Sequence, residues 1–356
     1  MKRVKFLYCS LVILLLFALF PHKSFAISAH GAIVMEQESG RVLYEKNAHT
    51  QMRIASITKI MTAILAIESG KMDEIVTVSN RAANTEGSSL YLRPGDKVEL
   101  KDLVYGLMLR SGNDAAVAIA EHVSGSLDSF VKLMNKKAKA IGMEKTVFAN
   151  PHGLDDHEHH YSTAYDMALL TRYAQENKTY RKISSTKLYK ATLPSTGVKV
   201  TWRNKNKLLN MYKYSTGGKT GYTIRAKRTL VSTAKKGDLS LIAVTLNDRN
   251  DWNDHISMFE RSFKNYHLYE IVEKGTLENL NNAFYENLVD TDRRFLYPLT
   301  DAEQKDVSIQ IQLVRPDPIR WSITGTPLMV GKLLVYLKDK QIGEIPLLYK
   351  NSSHRN

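Results

Sequence analysis

Three short groups of residues combine side chains able to do nucleophilic and acid–base chemistry. The first is Ser56-Ile57-Thr58-Lys59. A serine hydroxyl is a poor nucleophile until a neighbour takes its proton. A lysine held beside it can do so if burial or nearby cations keep the amine neutral. The pair heads an apolar-periodic run, Ile57, Ile60, Met61, Ile64 and Leu65, which reads as one face of an amphipathic helix stopped by Gly70. On that helix Ser56 and Lys59 share a side, and the helix N-terminus adds N–H groups aimed at developing negative charge. Taken alone, the motif is also explained by an N-terminal serine and a solvated lysine.

The second group is Ser111-Gly112-Asn113, inside Arg110-Ser111-Gly112-Asn113-Asp114. It interrupts a helical pattern over residues 100–123, so a polar turn sits clamped between two apolar helices. Its serine could relay a proton, and the Asn113 amide could fix a substrate or the lysine. Ser, Gly, Asn and Asp are also ordinary turn residues. The third group is Lys219-Thr220-Gly221, preceded by Gly217-Gly218. Residues 229–234 and 239–246 read as an antiparallel pair across Lys236-Gly237-Asp238, which puts Lys219-Thr220-Gly221 on or beside a sheet strand. A lysine and a hydroxyl on an open strand edge suit a peptide's terminal carboxylate, with the peptide bound as an added strand. The plainer alternative is a glycine-rich hairpin with a surface lysine.

The elements that must position these groups follow from periodicity. Residues 31–35 and 41–45 make a β-hairpin around a turn closed by Gly40, and residues 75–79 a short strand. Residues 81–97 look irregular. Helices are expected over 130–140, 163–175 and 251–272, and a strand with its connection over 192–202 and 206–211. From about residue 275 the pattern is mainly strand: 295–297, an alternating run over 307–313, and 333–337 paired with 342–349. The histidines of Asp155-Asp156-His157-Glu158-His159-His160 invite a metal reading. His157 and His160 are three apart beside a glycine-containing turn, however, whereas a helical metal pair needs four. We expect a solvated or locally hydrogen-bonded loop and no metal site.

Composition bounds the rest. At 43% hydrophobic and 24% charged residues over 356 positions, the chain can form about two globular domains. Lys2, Arg3 and Lys5 precede an apolar run over 6–20, and Ser24-Phe25-Ala26 supplies small residues for a signal peptidase. The run is shorter than the roughly 20 residues of a membrane span. Residues 1–26 are therefore expected to be a signal peptide, with an exported product. The single cysteine, Cys9, lies in that run, so the exported chain would lack disulfides, a cysteine nucleophile and thiolate metal sites. The formal net charge is +14. Removing 1–26, with four cations and no acid, leaves +10. For an exported chain this favours anionic wall polymers or peripheral contact with a membrane surface over nucleic acid; a merely soluble basic surface is the alternative.

Together, and in this order, Ser56-x-x-Lys59, Ser111-x-Asn113 and Lys219-Thr220-Gly221 match the set found in penicillin-binding proteins and serine β-lactamases. The chain resembles the D-alanyl-D-alanine carboxypeptidases, the low-molecular-mass penicillin-binding proteins, and most of all their sporulation-associated type. The likeness extends to residues 53–59, 109–115 and Asn150-Pro151-His152-Gly153-Leu154. It implies an α/β (α+β) fold: a β-lactamase/transpeptidase-like domain at 27–272, an antiparallel sheet with helices, then a small all-β, sandwich-like domain at 273–356. It implies that Ser56 attacks the D-Ala–D-Ala carbonyl of a peptidoglycan stem peptide, with Lys59 as base. The amides of Ser56 and Tyr222 would bind the oxyanion, and Ser111 would pass a proton to the leaving D-alanine. Asn113 would orient Lys59 and substrate, and Lys219, Thr220 and Gly221 would hold the terminal carboxylate. β-Lactams would acylate Ser56, and no cofactor is implied.

Two departures stand out. Many relatives have a small residue shortly after the K-T-G triplet, where this chain has Lys227-Arg228, adding charge at the cleft rim. Membrane-bound relatives end in an amphipathic anchor helix, whereas residues 349–356 are polar. A class A-like serine β-lactamase shares all three motifs but needs a deacylating glutamate. Residues 145–149 hold none, although Glu144 is adjacent. A non-enzymatic penicillin-sensing or wall-binding protein is the other alternative.

Overall fold

The structure, a computed structural model, describes residues 27–192, 197–278, 280 and 282–350. The expected signal peptide and its cleavage site lie outside the described residues.

The chain enters through β1 (Gly31–Glu36) and β2 (Val42–Lys46). Their turn is closed by the Glu36 carboxylate, which accepts from the backbone N–H of Glu38 and Ser39 at 3.0 and 2.6 Å. A 3-10 turn, Ala55–Thr58, leads into α1 (Lys59–Glu68). β3 (Ile75–Thr77) and β4 (Lys97–Glu99) pair around α2 (Asn80–Ala83). Then come α3 (Leu100–Arg110), α4 (Asn113–Ser124), α5 (Leu127–Ala140), α6 (Ala164–Glu176) and α7 (Lys178–Ser185). Side-chain caps start three of them: Ser126, Thr163 and Asn177 each accept from backbone N–H groups of the first turn of α5, α6 and α7. β5 (Leu188–Thr192), β6 (Lys199–Arg203) and α8 (Leu208–Met211) lead to β7 (Ser215–Thr223), β8 (Lys227–Lys236) and β9 (Leu239–Leu246).

The main sheet runs β2-β1-β9-β8-β7. All its pairings are antiparallel. Period-2 alternation splits its side chains between two cores. Ile33, Met35, Val231, Ile242 and Val244 face the helices, where Phe130, Met134, Met167 and most of α1 complete one cluster. Ala32, Val34, Leu230, Leu241 and Ala243 face α9 (Asp251–Asn265), whose Met258, Phe259 and Phe263 complete the second. The result is a helix–sheet–helix sandwich. Since β7 is the outermost strand, one of its edges stays free of sheet partners.

After α9, β10 (His267–Val272) pairs with β13 (Phe295–Leu299). A second sheet, β11-β12-β16-β15-β14, is built from β11 (Gly275–Thr276), β12 (Val289–Thr291), β14 (Val307–Leu313), β15 (Met329–Leu337) and β16 (Lys340–Tyr349). Its core holds Tyr285, Val289, Val330, Leu333, Val335, Ile345 and Leu347. Arg41 joins the two parts. Its guanidinium donates to the Pro298 carbonyl and to Glu303, both at 2.5 Å, and lies 5.3 Å from the ring centres of Tyr266 and Tyr297.

Three expectations are corrected. The helix after Ser56 is not one-faced: nine of its ten residues are buried, because it lies between the sheet and the other helices. The strand expected over 192–202 is two strands, β5 ending at Thr192 and β6 beginning at Lys199, which pair antiparallel. The helix expected to reach 272 stops at Asn265, and the apolar residues beyond it belong to β10. The alternating run over 307–313 is the edge strand β14, which leaves both Ile309 and Ile311 exposed. Within the C-terminal β part, one short helix, α10 (Pro318–Thr324), follows β14.

Candidate active site

The 3-10 turn presents Ser56, half-buried, at the mouth of a cleft of about 370 Å³. Ala55, just before it, has φ +50°, a left-handed conformation that costs an alanine about 1 kcal/mol. The surroundings hold it there. Thr58 Oγ1 donates to the Ala55 carbonyl at 2.8 Å and lies 2.8 Å from His160 Nε2. The Ala149 N–H donates to His160 Nδ1 at 3.0 Å, so the neutral ring carries its proton on Nε2 and donates to Thr58. Gly153, at φ +87°, closes against the same carbonyl, and a Cβ there would run into the Ala55 oxygen. From the sheet side, Thr229 Oγ1 donates to the Ile54 carbonyl at 2.9 Å.

Lys59 is fully buried. Its Nζ lies 3.1 Å from Ser56 Oγ and 2.7 Å from each of two carbonyl oxygens, Asn113 Oδ1 and His152 O. Burial first, then the charges of Lys219 and Lys205, hold its ammonium well below the usual lysine range. A neutral amine has two N–H donors and one lone pair. The two carbonyls take the donors, which leaves the lone pair for the Ser56 O–H. The Asn113 amide is fixed by its second partner: Nδ2 donates to Glu86 O at 2.6 Å.

Ser111 sits in the α3–α4 turn at φ +66°. Its Oγ is 3.1 Å from Lys219 Nζ, which also donates to Thr220 O at 2.7 Å. Burial, reinforced by Lys205, lowers the Lys219 ammonium to about 7. Asp114, fully buried at the start of α4, accepts from the backbone N–H of Leu90 and Leu92 and from Ser89 Oγ. This ties residues 89–92 down beside the turn. Thr220 and Gly221 line the cleft on β7. At Gly221 an added Cβ would lie 2.9 Å from Ser56 N, so only glycine lets the strand pass this close to the serine amide.

The structure thus brings Ser56, Lys59, Ser111, Asn113, Lys219, Thr220 and Gly221 to one cleft. Several site residues were not legible as such. Lys205 is one lysine in a connecting segment, yet it lines the cleft and donates to Ser88 Oγ at 3.1 Å. The charge of Arg228 is compensated rather than free. It forms a bidentate pair with Asp251 at 2.6 and 2.8 Å and lies 5.6 Å from the Trp252 ring. The histidine loop divides. Glu158 is exposed and bridges Arg53 and Arg225, the latter guanidinium above all lowering its carboxyl to about 2. His160 turns inward, where burial holds its ring at about 4. Among the described residues no group of three His, Cys, Asp or Glu could hold a metal ion.

Residues 19–250 match the family described as Peptidase_S11, D-alanyl-D-alanine carboxypeptidase. The D-alanyl-D-alanine carboxypeptidase DacF of Bacillus subtilis (strain 168) is 39% identical over 259 residues, 70% of this chain. DacC of Escherichia coli (strain K12), with the same description, is 39% identical over 238 residues, 64% of this chain. The chain spans 66% and 58% of the lengths of these two relatives. The crystal structure of penicillin-binding protein 5 from Haemophilus influenzae matches with a TM-score of 0.75 at 27% identity, covering 92% of this chain and 97% of that one. Its fold is the one seen here, a transpeptidase domain of helices around an antiparallel sheet followed by a C-terminal β-sandwich domain. On these matches, the chain belongs to the serine D-alanyl-D-alanine carboxypeptidases of peptidase family S11.

Proposed function

We propose that this chain removes the terminal D-alanine from peptidoglycan stem peptides ending in D-Ala-D-Ala, through an acyl-enzyme on Ser56. One observation carries the reading: the fully buried Lys59 Nζ lies 3.1 Å from Ser56 Oγ and 2.7 Å from each of two carbonyl oxygens, in surroundings that disfavour its charge. Lys59 takes the Ser56 proton as Oγ attacks the penultimate D-alanine carbonyl. The Ser56 and Tyr222 amides stabilise the oxyanion, the former supported by the close pass of Gly221. Ser111 passes a proton to the leaving amine, and D-alanine departs. Lys219 and Thr220 hold its carboxylate, and Asn113 fixes Lys59 and the substrate amide. Water then attacks the ester, gives up its proton, and releases the shortened peptide with Ser56 restored. The free edge of β7 supports binding of the peptide as an added strand. A β-lactam mimics the dipeptide and acylates the same oxygen.

The proposal includes export after cleavage at Ala26, peripheral association with the wall or membrane, and a sporulation role. It also includes domains at 27–272 and 273–356. That boundary falls at the end of β10, where Leu268 packs on the second core and Val272 belongs to the third. The sporulation role rests on the overall likeness to the sporulation-associated carboxypeptidases. Loss of the gene without effect on spore-wall cross-linking would remove it. Among the described residues no helix is long and apolar enough to cross a membrane.

The test is D-alanine release from an acyl-Lys-D-Ala-D-Ala peptide by residues 27–356, beside Ser56→Ala. Release and penicillin labelling should both vanish in the variant. The β-lactamase alternative is weakened because Glu144 is exposed and does not line the cleft. Rapid penicillin turnover in place of a long-lived adduct would restore it. Penicillin adduct formation without D-alanine release would point to a longer cross-linked substrate or to the sensor alternative.

A further inference from the structure

Building on the peripheral association proposed above, we propose that the tip of the C-terminal part, residues 314–329, is a docking element for a bilayer surface bearing anionic headgroups. The tip follows the edge strand β14 and contains α10. Asp317 caps this helix, its carboxylate accepting from Arg320 N at 3.0 Å, and Pro318 occupies its first turn. Trp321 fastens it inward, its ring 5.7 Å from Phe284 and 6.5 Å from Tyr285. Ile319 and Ile323 are one helical turn apart and share a face, and each lies two residues from Trp321, roughly opposite on the helix. They therefore point outward, with 80% and 81% of their surface exposed. Val314, Leu328 and Met329 extend the patch, all more than half exposed. A helix that half-buries one tryptophan and turns two isoleucines to solvent is amphipathic toward something outside the chain.

Charge identifies that partner. Arg315 and Arg320 flank the stripe, are exposed, and have no ion-pair partner among the described residues. Asp317 is occupied as the helix cap, and nearby Glu344 is paired with Lys332 at 3.4 Å. Uncompensated cations around an outward apolar stripe are the chemistry of an interfacial element, with side chains entering the acyl boundary and guanidinium groups on the headgroup phosphates. Beside the tip lies a groove of about 540 Å³, where Leu313, Val314, Met329 and Pro346 meet the polar Arg293, Gln312, Lys332 and Glu344.

The test is co-sedimentation of residues 27–356 with vesicles of phosphatidylglycerol and phosphatidylethanolamine, compared with phosphatidylcholine alone. The wild type should bind the anionic vesicles preferentially. Ile319→Ser with Ile323→Ser should weaken partitioning roughly thirtyfold, from partial insertion of two isoleucines. Arg315→Gln with Arg320→Gln should weaken it by a similar factor and abolish the anionic preference. Both double variants should melt and label with penicillin as the wild type does. A wild type that stays in the supernatant overturns the proposal. So does binding unchanged by the isoleucine substitutions, or a self-association that those substitutions abolish in place of vesicle binding.

Discussion

Replacing His160 with phenylalanine would keep the ring volume and its edge-on packing against Phe148, whose ring centre is 6.0 Å away. It would remove two buried hydrogen bonds, the one accepted from Ala149 N at 3.0 Å and the one shared with Thr58 Oγ1 at 2.8 Å. Leaving such groups without partners costs about 1–3 kcal/mol each, so the fold should lose about 2–6 kcal/mol. Thr58 could still donate to the Ala55 carbonyl, so the serine turn would loosen rather than collapse. A displacement of about 1 Å at the nucleophile costs up to about 100-fold in rate. We expect acylation by a fluorescent penicillin to slow by about 10- to 100-fold. His160→Gln carries one acceptor and one donor and should recover most of both losses. Besides the acid loss from protonating the Lys59 base, the wild type should show a further acid limb in acylation rate with an apparent pKa near 4, where the His160 ring gains its second proton. His160→Gln should lack this limb. A His160→Phe protein that melts and acylates like the wild type would refute the reasoning, and so would an acid limb unchanged in His160→Gln.

Two further outcomes follow from charge. Burial lowers His152 to about 3, His160 to about 4 and His255 to about 3, whereas all three titrate near 6.5 once unfolded. The unfolded chain thus binds more protons between these values. Stability should be full above about pH 6.5 and fall as pH drops toward about 4, by about 1.4 kcal/mol per pH unit per histidine. Denaturant midpoints equal at about pH 7 and pH 5 would contradict this. Lys219 at about 7 is the cation proposed to hold the substrate carboxylate. It loses its charge as pH rises through that value, so KM for the acyl-D-Ala-D-Ala peptide should climb on the alkaline side. A peptide ending in a C-terminal amide should show no such climb, and equal profiles for the two peptides would remove Lys219 from that role.

The parts of the fold that were legible in the sequence are those where local pattern and tertiary environment agree. The β8–β9 hairpin across Lys236-Gly237-Asp238 and the break between α3 and α4 were read within a residue or two, since turn residues sit between strongly apolar segments. What failed did so for lack of a local signal. Residues 267–272 carry enough apolar side chains to continue α9, and only their pairing with β13, far along the chain, makes them a strand. β14 alternates like a half-buried strand, but its burial depends on what covers it, and an edge position leaves it open. The three motifs announced the cleft because their residue types are rare in combination. His160, Lys205 and Asp114 carried no such mark. Their part in the site comes from chain segments that meet only after folding, and in the linear sequence a buried, bonded histidine looks the same as its exposed neighbours His157 and His159.

Ala55 and Ser111, one beside the proposed nucleophile and the other bearing the second hydroxyl, both hold left-handed backbone without being glycine. Glycine would adopt either conformation with less strain. These two turns are therefore places where the chain stands below its own stability optimum, and a substitution that relaxes one would gain stability by loosening what aims a hydroxyl. Selection for robustness and selection for turnover pull in opposite directions at these positions. The large three-layer core supplies the margin within which that conflict can be tolerated.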